Sequence, residues 1–186
     1  MCCQTHGVLC NFCVAMSLYP DVQRKAQVEL DAVVGPHHFP EFNDRERLPY
    51  VNAIVKEILR WNPVTPLGLA RLTTSDDQYH GYFIPGGSIV MVNVWSILNN
   101  PKFYPEPDKF IPERFLKDGR LNPEIRDPAA YLFGFGRRFC PGRHFADASL
   151  FIQIASMLHS FNIGPPLDGG GSPIHIEPRS SDGLVS

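Results

Sequence analysis

The sequence predicts a mainly α-helical chain with small β-sheets, an α+β class, and three features predict it. Four segments repeat apolar residues at helical spacing. One segment, Tyr82 to Asn93, reads as strand, turn and strand around Pro85-Gly86-Gly87. Between Pro101 and Phe139 neither period holds, and the prolines concentrate there: 18 in 186 residues is about twice the usual share of roughly 5%. That length suits a single domain over residues 1–186.

Val8, Phe12, Ala15 and Met16, flanked by Leu9, Cys13 and Leu18, mark the first helix, which ends at Pro20. A second helix follows from Asp21 to Val33, with Val22, Ala26, Leu30 and Val33 as its apolar face and Gly35-Pro36 as its stop. His37 to Arg47 is polar and reads as loop. The third helix, about Pro49 to Trp61, places Val51, Ile54, Val55, Ile58 and Leu59 on one side and ends before Pro63 and Pro66. After the strand pair, Val94 to Asn99 forms a short helix. The segment from Pro101 to Phe139 is a long irregular stretch, and loops that long inside a compact domain are usually functional. A last helix, about Arg143 to Phe161, buries Phe145, Ala148, Phe151, Ile152, Ala155 and Leu158. The tail is rich in Gly and Pro, with room for a strand over Pro173 to Glu177.

Composition excludes several classes. A net charge of −2 gives no footprint for nucleic acid or for an anionic membrane surface. No stretch approaches the roughly 20 apolar residues of a membrane span. The N-terminus lacks the basic leading region of a secretory signal. Four of the five cysteines, Cys2, Cys3, Cys10 and Cys13, crowd the start beside His6. A metal site is conceivable there, but the spacing fits no zinc finger, and cysteine is also a common buried small hydrophobe. Without signs of secretion a reducing compartment is expected rather than a disulfide framework.

The fifth cysteine carries the chemistry. Phe133-Gly134-Phe135-Gly136-Arg137-Arg138-Phe139-Cys140-Pro141-Gly142 sets Cys140 in a glycine-rich turn, after two arginines and before a helix. Glycines allow a sharp turn and close backbone approach. A helix N-terminus and neighbouring cations favour the thiolate, and Arg138 can pair with a carboxylate. Such a loop suits a thiolate ligand facing a bulky cofactor with a negative edge. Other readings are a structural cysteine in a tight turn, or a nucleophile with His144 as base one helical turn on. Arg137, Arg138 and Arg143 can also be a solvated basic patch, and Phe133 and Phe139 can be core. Elsewhere, Glu57 and Arg60 share one face of the third helix, and Pro112-Glu113-Arg114-Phe115 lies downstream.

The cysteine run fits F-x-x-G-x-R-x-C-x-G at Phe133, Gly136, Arg138, Cys140 and Gly142, and with E-x-x-R and P-E-R-F it resembles the cytochrome P-450 family of haem-thiolate monooxygenases. The resemblance, closest in wording to fungal microsomal members of secondary metabolism, implies haem b (iron protoporphyrin IX) with Cys140 as the iron ligand. It implies Arg138 and Arg71 beside the propionates, and Phe133, Gly136 and Gly142 around the cofactor. It further implies a buried Glu57–Arg60–Arg114 network that holds the irregular stretch behind the cysteine loop. The implied activity is insertion of one atom of O2 into a small organic substrate, with electrons from an NADPH-dependent reductase.

Family chains are more than twice this long. The resemblance therefore implies a partial domain: the C-terminal, proximal haem-binding part of the cytochrome P-450 fold, without the N-terminal half or the final hairpin strand after Ser180 to Ser186. In the distal helix the family carries an acid and an alcohol, and here Cys3 and Gln4 fall at those positions, with Thr5 one place late. No catalytic residue is therefore assigned. Full-length members sit at the endoplasmic reticulum membrane through an anchor outside this chain, which leaves the chain itself cytoplasmic or unplaced. Alternatives are a non-catalytic haem-thiolate or interaction protein, and a reductase-independent isomerase or dehydratase. The apolar faces of the second and third helices are expected to lie exposed.

Overall fold

The computed structural model describes residues 3–176. Four helices form the body: α1 (Cys3–Leu18), α2 (Pro20–Val33), α3 (Pro49–Trp61) and α6 (Arg143–Ser160). Pro20 and Pro49 each start a helix, where the missing N–H costs nothing. The stripes Val8/Phe12/Ala15/Met16, Val22/Ala26/Leu30 and Val51/Ile54/Val55/Ile58 converge into one core with Phe151, Ile154 and Leu158. The apolar faces of α2 and α3, expected to lie exposed, are thus covered within the chain by α1 and α6. Val33, at the frayed end of α2, is only half-buried.

A smaller core collects Ala53, Val94, Leu98, Tyr104 and Phe115. It sits under α4 (Val94–Leu98), whose Asn93 side chain accepts the Ser96 N–H as a cap.

Three two-stranded antiparallel ladders complete the fold. β1 (Arg71–Leu72) pairs with β4 (Ile89–Val90), β2 (Asp77–Tyr79) with β3 (Tyr82–Ile84), and β5 (Leu116–Lys117) with β6 (Arg120–Leu121). The sequence reading joined Tyr82–Ile84 to the strand after the Pro-Gly-Gly turn. Instead β3 folds back on β2 through His80-Gly81, both at positive φ, the geometry of a tight two-residue hairpin. Asp118-Gly119 makes the same kind of turn between β5 and β6. The irregular stretch therefore contains a hairpin, a 3₁₀ turn over Pro112–Phe115 and the one-turn helix α5 (Ala129–Leu132). Each is too short to show a period. Likewise Phe42–Arg47, read as loop, is a 3₁₀ turn held by a reciprocal Glu41/Asp44 capping box.

In α6 the buried stripe is Leu150, Phe151, Ile154, Ala155 and Leu158. Ala148 and Ile152 are half-buried, and Phe145 is 81% exposed, because the first turns of α6 run out beyond the helical body. In the tail a single bridge joins Leu167 to Pro173. Ile174 to Ile176 form no strand, so the strand expected over Pro173 to Glu177 is reduced to that bridge among the described residues; Glu177 and Ser180 to Ser186 lie outside them.

The two halves of the fold meet at a buried charge. Glu57 and Arg60 are both fully buried, with Arg60 Nε on Glu57 Oε2 at 2.8 Å and a second guanidinium nitrogen on Oε1 at 3.0 Å. Glu57 Oε1 also accepts from Arg114 Nε at 3.1 Å and from the Ile111 N–H at 2.9 Å. Arg60 also donates to the carbonyls of Leu98, Pro107 and Lys109. Arg114 donates to the Pro105 carbonyl at 2.7 Å. This network ties α3 to a backbone segment with little regular structure, whose carbonyls the two guanidinium groups satisfy.

Two outcomes are expected. Glu57→Gln leaves a buried guanidinium without its counter-charge and should cost roughly 3–5 kcal/mol; a urea midpoint equal to the parent's would contradict it. The exposed set around β1 and β4, Leu69, Leu72, Ile89, Val90 and Met91 with Phe145, should bind an apolar-surface dye in the native chain. Replacing Leu69, Ile89 and Phe145 with Ser should lower the fluorescence.

Candidate functional site

Cys140 opens onto a cleft of about 410 Å³ between the cysteine loop, the entry to β1 and the strand residues before α4. The loop is shaped by its backbone. Gly134 and Gly136 sit at φ +80° and +59°, which side chains rarely tolerate, and the Cys140 N–H donates to the Phe133 carbonyl at 2.8 Å to close the turn. A 3₁₀ turn over Gly136–Arg138 then lifts the chain, and Gly142 caps α6. A Cβ on Gly142 would stand 3.8 Å from the Cys140 sulfur, so this glycine leaves the thiol's flank open.

Arg71 and Arg138 line the same cleft. One Arg71 guanidinium nitrogen donates to the Arg138 carbonyl at 3.3 Å, which fastens β1 to the cysteine loop. Both side chains are exposed, and among the described residues neither enters an ion pair. The walls are apolar: Leu69, Val92, Leu132 and Phe133. A soft sulfur, two cations outside any described ion pair and apolar walls suit a bulky, partly apolar group that carries negative charge and a metal able to take a thiolate.

Of the residues expected around a cofactor, Cys140, Arg138, Arg71 and Phe133 converge on this cleft. Gly136 and Gly142 do not line it and act through the path of the chain. Phe139 faces a different groove, with the Arg143 guanidinium 4.5 Å from its ring centre. His144 accepts from Arg143 Nε at 3.0 Å and lines that second groove, and no described hydrogen bond joins it to Cys140. The nucleophile–base reading therefore lacks its contact.

Sequence reasoning did not place Leu69 and Val92 at the site; alternation around β4 could have pointed to Val92. Gln4, at the position where the resemblance puts an alcohol, also borders the cleft. At the N-terminus, Cys10 Sγ lies 3.5 Å from His6 Nε2, and burial pushes the Cys13 thiol up from its ordinary value. Among the described residues no group of three or more His, Cys, Asp or Glu could hold a metal ion. Cys2 and the Cys3 side chain lie outside them. No helix among the described residues is long and apolar enough to cross a membrane.

Comparison with known proteins adds the lineage. The sequence model of the family described as Cytochrome P450 matches residues 5–182. The cytochrome P450 monooxygenase COX2 of Coprinopsis cinerea is 54% identical over 172 residues, 92% of this chain and 33% of the relative. COX1 of the same fungus is 46% identical, covering 93% of this chain and 33% of the relative. Cytochrome P450 monooxygenase 176 of Postia placenta is 45% identical over 98% of this chain and 35% of its own length. The chain thus spans about a third of the length of these relatives. With the match running through α1, the Glu57–Arg60–Arg114 network and the Cys140 loop alike, the chain belongs to the cytochrome P450 family.

Proposed function

We propose that this chain forms the thiolate face of a haem-thiolate monooxygenase and that the protein inserts one oxygen atom of O2 into a small organic substrate. One observation carries the reading: Cys140 shares an apolar cleft with two arginines that enter no ion pair among the described residues, in a chain whose relatives include proteins named monooxygenases. Cys140 would ligate the iron of haem b, and Arg71 and Arg138 would pair with its propionates. Phe133, Leu69 and Val92 would cover the porphyrin face and edge and keep water off the sulfur. The Arg71 contact to the Arg138 carbonyl would hold both cations at one rim. Haem bound this way supplies oxygen activation, which a thiolate ligand favours by pushing electron density toward O–O cleavage. Electrons would come from an NADPH-dependent reductase. The proposal assigns no proton-delivering residue in the chain.

The test is a haemin titration of the chain, followed by reduction and CO. The parent should show the red-shifted Soret band of a thiolate-ligated ferrous–CO haem, weakly, because the chain spans only about a third of its relatives' length. Cys140→Ser should abolish that band; a Cys140→Ser spectrum equal to the parent's would rule Cys140 out as the ligand. A parent that binds no haem would favour the non-catalytic reading, which the exposed apolar face also suits. Arg138→Ala and Arg71→Ala should each weaken haem binding about tenfold, the size of one charge-assisted contact of roughly 1.4 kcal/mol. Equal affinity in both variants would mean that the anionic edge lies elsewhere.

A further inference from the structure

A second fastening acts on the cysteine loop from its downstream side, and it is centred on Arg45. Arg45 lies in the 3₁₀ turn before α3 and reaches three places. Its Nε donates to Asn52 Oδ1 at 2.9 Å, on α3. Its two terminal nitrogens form a fork on the Asp147 carboxylate, at 2.7 and 2.9 Å, on α6. Its guanidinium carbon stands 4.9 Å from the ring centre of Phe151, a fully buried core residue one turn further along α6. Asn52 completes the circuit by donating to the carbonyls of Arg45 and Leu48 at 2.7 and 2.8 Å.

The position of Asp147 gives this fork its role. α6 begins at Arg143, directly after Cys140-Pro141-Gly142, yet its buried residues begin only at Leu150. In the turns between, Phe145 projects into solvent, while Arg143 contacts only His144 and the Phe139 ring among the described interactions. Asp147 is therefore the first residue after Cys140 that is tied by side chain to the helical body. Upstream, the loop is held by the Phe133 carbonyl and by Arg71. Downstream, its only described tie short of the core is this fork. A bidentate guanidinium–carboxylate pair fixes orientation as well as distance. Phe151 and the neutral Asn52 screen part of it from water.

We infer that Arg45 is a positioning residue for Cys140: through Asp147 it sets the first turns of α6 and hence where the thiol sits in the cleft. The inference rests on the reading of Cys140 as the functional thiol. Its test contains no haem, so failure of cofactor binding and failure of this coupling are read separately.

The experiment is pulsed alkylation of the whole chain with iodoacetamide in native buffer, quantified by mass spectrometry at Cys140 and at the half-buried Cys13 on α1. Arg45→Ala should raise the Cys140 rate about fivefold with Cys13 unchanged, which corresponds to roughly 1 kcal/mol of local opening. Arg45→Lys keeps the charge and loses the fork, so it should fall between parent and Ala. Asp147→Asn should match Arg45→Ala. A general loss of stability would instead raise both cysteines together, and that result overturns a positioning role. So does a Cys140 rate equal to the parent's in a folded variant. If Arg45→Ala does not fold, Arg45→Lys and Asp147→Asn decide by the same ratio.

Discussion

The structure depends on one buried ion pair. Glu57 and Arg60 lie on α3 with no exposure at all, between a helical core and a stretch of backbone that is nearly free of regular structure. Burying two charges is costly unless every donor and acceptor is met. Here that demand organises the surroundings. The segment from Leu98 to Ile111 has carbonyls and an N–H that no helix or strand satisfies, and Arg60, Arg114 and Glu57 satisfy them. An apolar residue at position 60 would fill the space and leave those carbonyls orphaned. Only a guanidinium offers enough donors, in a rigid fan, to serve several carbonyls and a carboxylate together.

That exchange explains how the two cores coexist. α3 presents Val51, Ile54 and Ile58 to the other helices, while Ala53 joins the small cluster with Tyr104 and Phe115. The pair sits between the two faces, and the Arg60 guanidinium lies 5.7 Å from the Tyr104 ring centre. The helix thus reads as amphipathic on one side and as a bracket on the other. The cysteine loop is carried by the structure that this bracket holds.

How much of this was legible in the sequence follows from length and period. α1, α2 and α3 run for three turns or more, so their stripes show at 3.6-residue spacing and their bounds fall at Pro20, Gly35 and Pro49. Strands of two or three residues show no alternation, so their pairing had to come from turn chemistry. The signal was there in His80-Gly81 and Asp118-Gly119, but Pro85-Gly86-Gly87 looked stronger and drew the pairing to the wrong partner. The face of α6 was misjudged because nearly every side of that helix carries apolar residues, and only the body it packs on decides which are covered. At the site, the glycine-rich run pointed to Cys140 and Arg138, while Glu57–Arg60 stood out only with Pro112–Phe115 and the family resemblance beside it. It could not say that Gly136 and Phe139 turn away from the cleft, since that depends on positive φ at Gly134 and Gly136. Nor could it show Arg71 reaching the carbonyl of Arg138, a contact between residues 67 apart in the chain.

The cleft itself is built from unequal partners. On one side stands the cysteine loop, braced through α6 by a packed helical core. On the other stand Leu69, Val90 and Val92, in and beside the short β1–β4 ladder, whose residues Leu72 and Ile89 are largely exposed. As the proposed metal ligand, the Cys140 sulfur would need a fixed direction. A wall that meets a flat apolar surface needs only the right chemistry and some freedom to adjust. In the proposed role the braced side would carry Cys140, and the more exposed side would meet the rest of the group.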